Sequence, residues 1–311
     1  MRAAICTGYG PPEVLQLEVV ARPRPRADEL LVRIHASTVN SSDWFIRSGI
    51  PNSPAMTRMM MKLMIGVRRP RRKILGLIVA GEVVETGAQV KRFQVGDRIW
   101  AFTKFHLGGY AEYTCVSESS SVGLAPKGLS YDEFAAIPYG GLLALHYLRK
   151  GGVKSGMQVL LYGASSAAGT SAVQLAKSFG AEVTAVCGPD GARLVRSLGA
   201  DHVLDYTVES TPPEGARYDL VLDTVGKRKT SALRTACEHA LKPGGRVLSV
   251  DDGTPAFSAA ELDELKDFAE RGVLKPVIDR RYPLEQLVAA HRYVEGEHKK
   301  GSVVVSIVPE A

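Results

Sequence analysis

The sequence predicts an α/β protein with two domains, a β-rich one followed by a doubly wound parallel sheet. Residues 2–124 contain many short apolar segments separated by Gly and Pro turns, as in β-rich domains. Composition changes near Ala125-Pro126, and from Val159 onward apolar strand-like segments alternate with helical ones. Such alternation is typical of a parallel sheet covered by helices. At 311 residues, the chain is long enough for both domains to bury a core.

The composition argues against several classes of protein. No apolar segment is long enough to span a bilayer, and no signal-peptide pattern opens the chain. The four cysteines (Cys6, Cys115, Cys187 and Cys237) are scattered without a Cys-x-x-Cys pair, so we expect neither a structural zinc nor disulfides, and we expect a cytoplasmic protein. The net charge is only +6, and no aromatic residues interleave with the cations. We therefore expect a small-molecule substrate and neither nucleic acid nor a membrane as partner.

The first part of the chain opens with short strands and a polar bend. Alternating apolar residues predict strands at residues 2–7, 13–19 and 30–36. Asn40 then lies in a polar bend that opens a short helix. Asp43 and Arg47 are four residues apart in that helix, and we interpret them as an ion pair on its surface rather than as catalytic groups.

A Met-rich segment from Met56 to Ile65 is predicted to be helical. Because Met makes adaptable apolar contacts, the segment could be a flexible lid or core filler. The densest cationic stretch, Arg68 to Lys73, follows it. We interpret this stretch as a solvated loop, and the alternative is that it steers an anionic cofactor or substrate.

The second part is organised around one strand, one turn and one helix. Four apolar or aromatic residues, Val159 to Tyr162, predict a buried strand. Small residues follow, and Val173 begins a predicted helix that ends at Phe179 with Gly180 as C-cap. A second strand, residues 182–187, comes at once. The later elements are predicted as helices at 191–198, 233–241 and 261–271 and as strands at 202–206, 218–223 and 244–250.

Two features of this part bear on function and packing. Gly163, Ser166 and Gly169 occupy the three positions at which dinucleotide-binding turns carry glycine. The strand–turn–helix–strand context predicts that backbone N–H groups and the helix N-terminus bind a pyrophosphate, to which the Ser166 hydroxyl could donate. The alternative is an ordinary tight turn. Before the turn, residues 131–148 are predicted as two helical stretches interrupted at Pro138 and Gly140-Gly141.

Several short motifs along the chain are together specific to one superfamily. They are Val39-Asn40-x-x-Asp43 with Arg47-Ser48-Gly49, Val95-Gly96-Asp97-Arg98, Gly109-Tyr110-Ala111-Glu112-Tyr113, Tyr162-Gly163-Ala164-Ser165, Leu198-Gly199-Ala200-Asp201 with Asp205-Tyr206, and Leu222-Asp223-Thr224-Val225-Gly226. On these motifs the chain resembles, over nearly its whole length, the zinc-independent quinone oxidoreductase-like branch of the medium-chain dehydrogenase/reductase superfamily.

The resemblance implies a GroES-like β-rich domain of residues 1–124 with 273–311, and a Rossmann doubly wound sheet in residues 125–272. It implies hydride transfer from NADPH, with NADH not excluded, to a quinone or an α,β-unsaturated carbonyl. Asn40 becomes the catalytic candidate, as the residue that hydrogen-bonds a substrate carbonyl or the nicotinamide ribose. A capping or turn role for Asn40 is the alternative.

The resemblance also assigns two groups of binding residues. The cofactor would be held by Gly163, Ala164, Ser165, Ser166, Ala167, Ala168, Gly169 and Thr170 at its phosphates and by Cys187, Gly188, Arg193 and Tyr206 on its adenosine side. The substrate would be lined by Asn40, Phe45, Ile78, Tyr139 and Leu143. Zinc is not expected, because zinc-dependent relatives carry Cys near the position of Asn40 and a His-Glu pair just after that of Gly76, where this chain has Leu77-Ile78.

The departures from the family pattern fall on these same positions. Asp190 stands in the loop where NADPH-using relatives carry Ser and Lys or Arg, and it would repel a 2′-phosphate unless Arg193 compensates. Neither Cys187 nor Gly188 is the acid that NAD-using relatives place there. The alternative is therefore a member whose cofactor site is lost or repurposed, doing non-redox chemistry on an apolar metabolite or binding one.

A further departure concerns assembly. Relatives carry a longer segment between the strand ending at Val250 and the helix starting near Ala260, and in the family it extends the sheet across a two-fold dimer. Residues 251–258 are too few to hold that strand. We expect a monomer or a rebuilt dimer instead.

Overall fold

The computed structural model describes residues 1–49, 55–226, 231–253, 255–296 and 299–308. It divides into two compact units. The first comprises Met1–Pro138, Phe257–Asp267 and Ile278–Ala311, and the second comprises Tyr139–Ala256 and Phe268–Val277. Within the described ranges, no helix combines the length and apolar character needed to cross a bilayer.

Short strands and helices make up both units. In chain order, the strands are β1 (Arg2–Cys6), β2 (Leu15–Val19), β3 (Glu29–Val39), β4 (Ile78–Thr86), β5 (Arg98–Phe102), β6 (Tyr113–Ser117), β7 (Ser121–Leu124), β8 (Gln158–Tyr162), β9 (Glu182–Cys187), β10 (His202–Asp205), β11 (Tyr218–Asp223), β12 (Leu241–Ser249), β13 (Ile278–Pro283) and β14 (Ser302–Ser306). The α-helices are α1 (Ser41–Arg47), α2 (Ala55–Ile65), α3 (Tyr131–Ala135), α4 (Pro138–Lys150), α5 (Ala167–Ser178), α6 (Pro189–Ser197), α7 (Ala232–His239), α8 (Ala259–Glu270) and α9 (Leu287–Glu295).

The first unit is β-rich, as predicted. In the described residues, a seven-stranded sheet runs in the order β13-β14-β3-β4-β5-β7, with β6 also paired to β3, and β1 and β2 form a separate hairpin. The C-terminal strand β14 pairs antiparallel with β3, so the end of the chain completes this sheet. Segment 125–138 belongs to this unit as well, since Phe134 of α3 is fully buried and Tyr131 stacks on His35 of β3 at 4.0 Å between ring centroids.

The second unit contains the predicted parallel sheet. Its strand order is β10-β9-β8-β11-β12, and every pairing is parallel. Strand β8 is central, and its residues Val159, Leu160 and Leu161 have no exposed surface. The inner strands β8, β9 and β11 are almost fully buried, which explains why they are continuous apolar runs rather than alternating ones, whereas the edge strands β10 and β12 are partly exposed.

The two predicted helical stretches are present as α3 and α4 and separate just before Pro138, but the predicted interruption at Gly140-Gly141 is wrong. Helix α4 starts at Pro138 and runs through Gly140 and Gly141 without interruption. Proline fits the first helical turn because its missing N–H has no intrahelical partner there. Gly140 serves close packing, since a Cβ at this position would lie 2.1 Å from the Ala167 carbonyl oxygen at the start of α5.

The predicted start of α5 at Val173 is also wrong, because the helix begins at Ala167. The small residues 167–172 are therefore helical and not part of the turn. They are small for a packing reason: a Cβ on Gly169 would lie 2.3 Å from the Gly163 carbonyl oxygen. Helix α6 likewise starts at Pro189, two residues before the predicted Gly191, with Gly188 as N-cap.

We predict that Gly140→Ala destabilises the protein. Alanine normally stabilises a helix relative to glycine by about 1 kcal/mol. Here the added Cβ meets backbone rather than a flexible side chain, so we expect a net loss of about 1–3 kcal/mol in the free energy of unfolding, measured by urea denaturation.

The control is Gly8→Ala, because a Cβ at Gly8 has no atom within 4 Å. A Gly140→Ala protein that is as stable as the wild type would show that α4 and α5 are not in close contact at this point.

Candidate functional site

The carboxyl edge of the parallel sheet holds the candidate nucleotide site. The chain leaves β8 on one side towards β9 and β10 and later returns on the other side as β11 and β12. Strands β8 and β11 are neighbours, with Tyr162 paired to Asp223 at their ends. This is the topological switch point of the sheet, at which α/β proteins bind ligands.

Thr224 ties the two loops at the switch point together. Its Oγ1 lies 2.9 Å from the carbonyl oxygens of Tyr162 and Gly163 and 3.1 Å from Ser166 Oγ. A hydroxyl has one hydrogen, so Thr224 donates to the carbonyls and accepts from Ser166. The loop after β11 therefore fixes the turn after β8.

The turn itself has the geometry of a phosphate cradle. Gly163 has φ +77°, and a Cβ there would lie 2.2 Å from Val225 Cγ2. The backbone N–H groups of Gly163 and Ala164 both donate to the Val186 carbonyl at 2.9 Å, which holds the turn against β9. In the first turn of any α-helix the leading N–H groups lack intrahelical acceptors, so those of Ala167 and Ala168 are available to an anion.

The two serines of the turn have different roles. Ser166 is the N-cap of α5 and accepts from the Gly169 N–H at 3.0 Å, while its own hydrogen is directed to Thr224. Its hydroxyl is thus occupied by the fold. Ser165 Oγ makes no hydrogen bond within the described residues, and it lies beside Gly191, where a Cβ would be 3.1 Å from it. Ser165 is therefore the serine that can donate to a phosphate, and Thr170, buried and bonded to Ala167, is not.

The ends of β9 and β10 form the adenosine side of the candidate site. Gly188 caps α6, and a Cβ on it would lie 3.2 Å from the Tyr206 hydroxyl. Tyr206 is 45% exposed. Cys187 is buried, and desolvation raises the pKa of its thiol to about 11, so the strand end carries no charge. Arg193 is exposed on α6, one turn after Asp190.

A buried ion pair, which the sequence did not reveal, supports the loop after β11. Asp223 is 1% exposed and accepts from the Val225 and Gly226 N–H groups at 2.9 and 3.1 Å and from Ser249 Oγ at 2.9 Å. Arg234 of α7 lies 2.9 Å from the same carboxylate. The polar pair Asp223-Thr224, directly after a predicted strand, is the feature of the sequence that could have indicated this arrangement.

In the first unit, Asn40 is buried at the start of α1. Its Nδ2 donates to Thr38 Oγ1 at 3.0 Å and to Asp43 Oδ2 at 3.2 Å. Its backbone N–H also donates to Asp43 Oδ2, at 3.0 Å. Both Nδ2 hydrogens are therefore used within the fold. The amide nitrogen, and not the oxygen, must face Asp43, because an ionised carboxylate only accepts hydrogen bonds. Asn40 is also the N-cap of α1 and forms a capping box with Asp43, in which its side chain accepts from the Asp43 backbone N–H, so the alternative capping role is confirmed. The amide oxygen Oδ1 has a second lone pair, which can accept from a ligand hydroxyl.

The interpretation of Asp43 and Arg47 as a surface ion pair is wrong. Both side chains are buried, at 0% and 1% exposure, and each has its own partners. Asp43 accepts from Asn40, whereas Arg47 contacts the Gly10 carbonyl, Glu295 and His291. Helix α9 packs on α1 and supplies the last two of these, which the four-residue spacing alone did not reveal.

These buried groups have shifted pKa values. Desolvation raises the pKa of Asp43 to about 7, against the opposing effect of its hydrogen bonds from Asn40. Burial, reinforced by the Arg47 cation, lowers the pKa of His291 to about 3. Both residues are therefore neutral over much of the mildly acidic range.

The remaining predicted substrate residues lie in both units. Phe45 is half-buried on α1, and Tyr139 and Leu143 are half-buried one turn apart on α4, so they share a helix face. Ile78 begins β4 and is fully buried. A side chain without exposed surface cannot contact a substrate unless its surroundings open.

The residues at the positions where zinc-dependent relatives carry their ligands do not suit a metal. Ile78 has no donor atom, and Asn40 offers only an amide oxygen, whereas zinc is held by Cys, His and carboxylate side chains. Among the described residues, no three His, Cys, Asp or Glu side chains are grouped so that they could hold a metal ion.

Comparisons with known proteins agree with this architecture. Residues 26–127 match the model of the alcohol dehydrogenase GroES-like domain, and residues 167–269 and 253–305 match two models of zinc-binding dehydrogenases. The chain is 31% identical to the quinone-oxidoreductase homolog, chloroplastic, of Spinacia oleracea, over 98% of both chains. The chain belongs to the medium-chain dehydrogenase/reductase superfamily, in its quinone oxidoreductase-like branch.

Other members of the superfamily extend the comparison. The 2-methylene-furan-3-one reductase of Solanum lycopersicum is 33% identical over 99% of this chain and 80% of its own length. The structure of the quinone oxidoreductase from Coxiella burnetii superposes with a TM-score of 0.85 at 26% identity, over 99% of both chains. Like these relatives, the protein is an oxidoreductase.

We predict that Asp43 makes stability depend on pH. Its folded pKa, about 7, lies above the value of 3.8 expected in an unfolded chain, so the folded state holds the proton more tightly. The stability that this proton supplies is complete below pH 3.8 and is lost as pH rises through about 7. Asp43→Asn removes the titration, so urea denaturation should show the variant gaining stability relative to the wild type as pH rises from about 5 to about 8.

Asp28→Asn, which removes one exposed carboxylate, is the matched control for the loss of a single negative charge. A constant difference for Asp43→Asn would mean that Asp43 is ionised throughout this range.

Proposed function

We propose that the protein is an NADPH-dependent, zinc-independent reductase that transfers a hydride to a quinone or an α,β-unsaturated carbonyl. The observation that carries the proposal is the anion cradle at the switch point, where Ser165 Oγ and the first N–H groups of α5 point out of a turn fixed by Thr224. The names of relatives support the substrate class: one is an NADPH-dependent alkenal/one oxidoreductase and another is a quinone-oxidoreductase homolog.

The chain's residues fit a dinucleotide. The Ala167 and Ala168 N–H groups and the Ser165 hydroxyl would hold the pyrophosphate, where the partial positive charge of the helix N-terminus favours an anion. Because Gly163 and Gly188 carry no side chain, the loop after β11 packs against the turn through Val225, and Tyr206 packs against the start of α6. Tyr206, beside Gly188, would cover the adenosine.

The preference for NADPH rests on one cation. Arg193 makes no hydrogen bond or ion pair within the described residues and is exposed on α6, so it can pair with a 2′-phosphate. The residue at the end of β9 is Cys187 and not an acid, so this strand end offers no carboxylate to the ribose hydroxyls of NADH. Desolvation raises the pKa of the Cys187 thiol and keeps it neutral. Asp190 opposes a phosphate, and Arg193 would offset it.

A bound nicotinamide would supply the hydride, and the protein would supply position and shielding from water. Asn40 would accept a hydrogen bond from a ribose hydroxyl through Oδ1, since its Nδ2 is held by Thr38 and Asp43. We propose Tyr139 and Leu143, which share a face of α4, as apolar substrate contacts in the second unit, and Phe45 of α1 as one in the first. Ile78 is fully buried and would contact a substrate only if its surroundings opened.

Zinc takes no part in this proposal. Carbonyl polarisation by a metal requires several ligand side chains at the substrate; Ile78 provides none, and Asn40 offers only an amide oxygen, which is not among the usual Cys, His and carboxylate ligands of zinc. Polarisation would then come from hydrogen-bond donors of the chain or of the cofactor.

We also propose a monomer or a rebuilt dimer. In the described residues the parallel sheet ends at β12, and α8 follows after residues 250–258, of which residue 254 lies outside the described set. A cytoplasmic location stays a prediction, since the names of relatives include mitochondrial and chloroplastic proteins.

Cofactor preference can be measured directly. We expect calorimetric titration to show tight binding of NADPH and weaker binding of NADH, and a panel of quinones and enones to be reduced by the bound NADPH. Arg193→Ala should weaken NADPH binding about tenfold or more while leaving NADH binding within about twofold, because only NADPH carries the 2′-phosphate.

Lys154→Ala is the matched control, since Lys154 is an exposed cation of the second unit outside the candidate site. Tighter binding of NADH would overturn the cofactor preference. Binding of neither nucleotide by a folded protein would overturn the reductase and favour the repurposed member.

The two serines of the turn can be separated by mutation. Ser165→Ala should weaken the binding of both nucleotides about threefold to tenfold without changing stability, because a free hydroxyl donor is lost. Ser166→Ala should lower the free energy of unfolding by about 1 kcal/mol, because the N-cap of α5 is lost. Urea denaturation and calorimetry measure the two effects, and the reverse pattern would show that Ser166 is the phosphate ligand.

A further inference from the structure

The Met-rich helix α2 presents an apolar stripe to solvent. Its exposed residues follow one another at helical spacing, and their exposed fractions are Met56 75%, Met59 61%, Met60 58%, Leu63 59% and Met64 53%. Val67, just beyond the helix, is 61% exposed and continues the stripe. At 3.6 residues per turn, these positions fall within an arc of about 140°. The expectation of core filler is therefore wrong for this face.

The C-terminal end of α2 is held against the rest of the first unit on the side opposite the stripe. Ile65 is buried, and Lys62 lies over the Tyr9 ring, 5.5 Å from its centroid. The Tyr9 hydroxyl donates to the Gly66 carbonyl at 2.6 Å. The stripe is thus turned outward by contacts that hold the other face.

A cationic turn is fixed directly beside the stripe. Gly66 has φ +127°, and the Arg71 N–H donates to the Ile65 carbonyl at 2.6 Å, so the chain folds back on the helix end. The Lys73 carbonyl accepts from the Cys6 N–H at 2.7 Å, which joins the far end of the turn to β1. The exposed cations of this turn are Arg68, Arg69, Arg71, Arg72 and Lys73.

Charge in this region is of one sign. No Asp or Glu occurs in the sequence between Asp43 and Glu82. The α2 face, defined as the apolar stripe with the cationic turn, therefore combines exposed Met and Leu side chains with guanidinium and ammonium groups. Surface-binding amphipathic helices have this combination.

We propose that the α2 face docks the protein on the surface of an anionic lipid bilayer. The Met and Leu side chains would enter the boundary between headgroups and acyl chains, and the cations of residues 68–73 would pair with lipid phosphates. A nucleic acid would satisfy the cations but leave the apolar stripe in water. A bilayer surface satisfies both, because its apolar and anionic layers are adjacent.

This proposal revises the expectation that no membrane is a partner. That expectation rested on the absence of a spanning segment, which docking at a surface does not require. The proposal is independent of the cofactor and substrate, since none of its residues belongs to the candidate nucleotide site.

The test is flotation of the full chain with vesicles. Vesicles of phosphatidylcholine alone are compared with vesicles containing about 30 mol % phosphatidylglycerol at about 0.1 M and about 1 M salt. We expect binding only to the anionic vesicles and a strong reduction at high salt. Leu63→Ser with Met60→Ser should reduce the partition coefficient about tenfold, and Arg71→Glu with Arg72→Glu about 25-fold or more.

Matched controls carry equal changes elsewhere. Val208→Ser replaces an apolar residue that is 79% exposed in the second unit, and Arg24→Glu with Arg26→Glu reverses two exposed cations in the first. Both should bind like the wild type, and circular dichroism should show that every variant is folded.

Two results would overturn the proposal. One is wild-type flotation that does not depend on phosphatidylglycerol. The other is a Leu63→Ser, Met60→Ser protein that binds as well as the wild type, because the cations alone would then bind any polyanion. Equal retention of that variant on duplex DNA would identify such a general polyanion surface.

Discussion

The packing of the second unit depends on the close approach of chain segments around the turn after β8. Gly163, Gly140 and Gly169 each lie where a Cβ would be within 2.3 Å of another atom. A Cβ at Gly140 would meet the start of α5, and one at Gly169 would meet the turn after β8. A Cβ at Gly163 would meet Val225 in the loop after β11. The strand, the turn and the helix N-terminus can meet only because these positions carry no side chain, and the candidate phosphate site depends on that contact.

Polar side chains complete what the glycines permit. Thr224 joins the loops after β8 and β11, and Asp223 receives hydrogen bonds from its own loop and from Ser249. Arg234 compensates the buried carboxylate. Such a pair contributes little net stability relative to apolar residues, but it orders the loop, because removing one partner leaves a buried charge. The turn after β8 and the loop after β11 are thus joined by hydrogen bonds within the fold.

The first unit buries charge for a different purpose. Asp43 caps the N-terminus of α1 by accepting from the Asn40 backbone N–H, and Arg47 joins that helix to α9. The motif of Asn40, Asp43 and Arg47 therefore connects elements distant in sequence. It positions Asn40 with its amide nitrogen inward, and only Oδ1 remains for a ligand. Structure and candidate function depend on the same hydrogen bonds.

Apolar periodicity and short motifs were enough to predict the two-domain class, the strand–turn–helix order and the superfamily. They suffice because strand burial and the backbone requirements of glycine are local properties of the chain. Packing in three dimensions settles the rest: Ser166 is a cap while Ser165 is free, Asp43 and Arg47 are buried, and the Met stripe of α2 faces solvent. Each of these depends on which distant segment packs against the residue, and spacing along the chain carries no information about that partner.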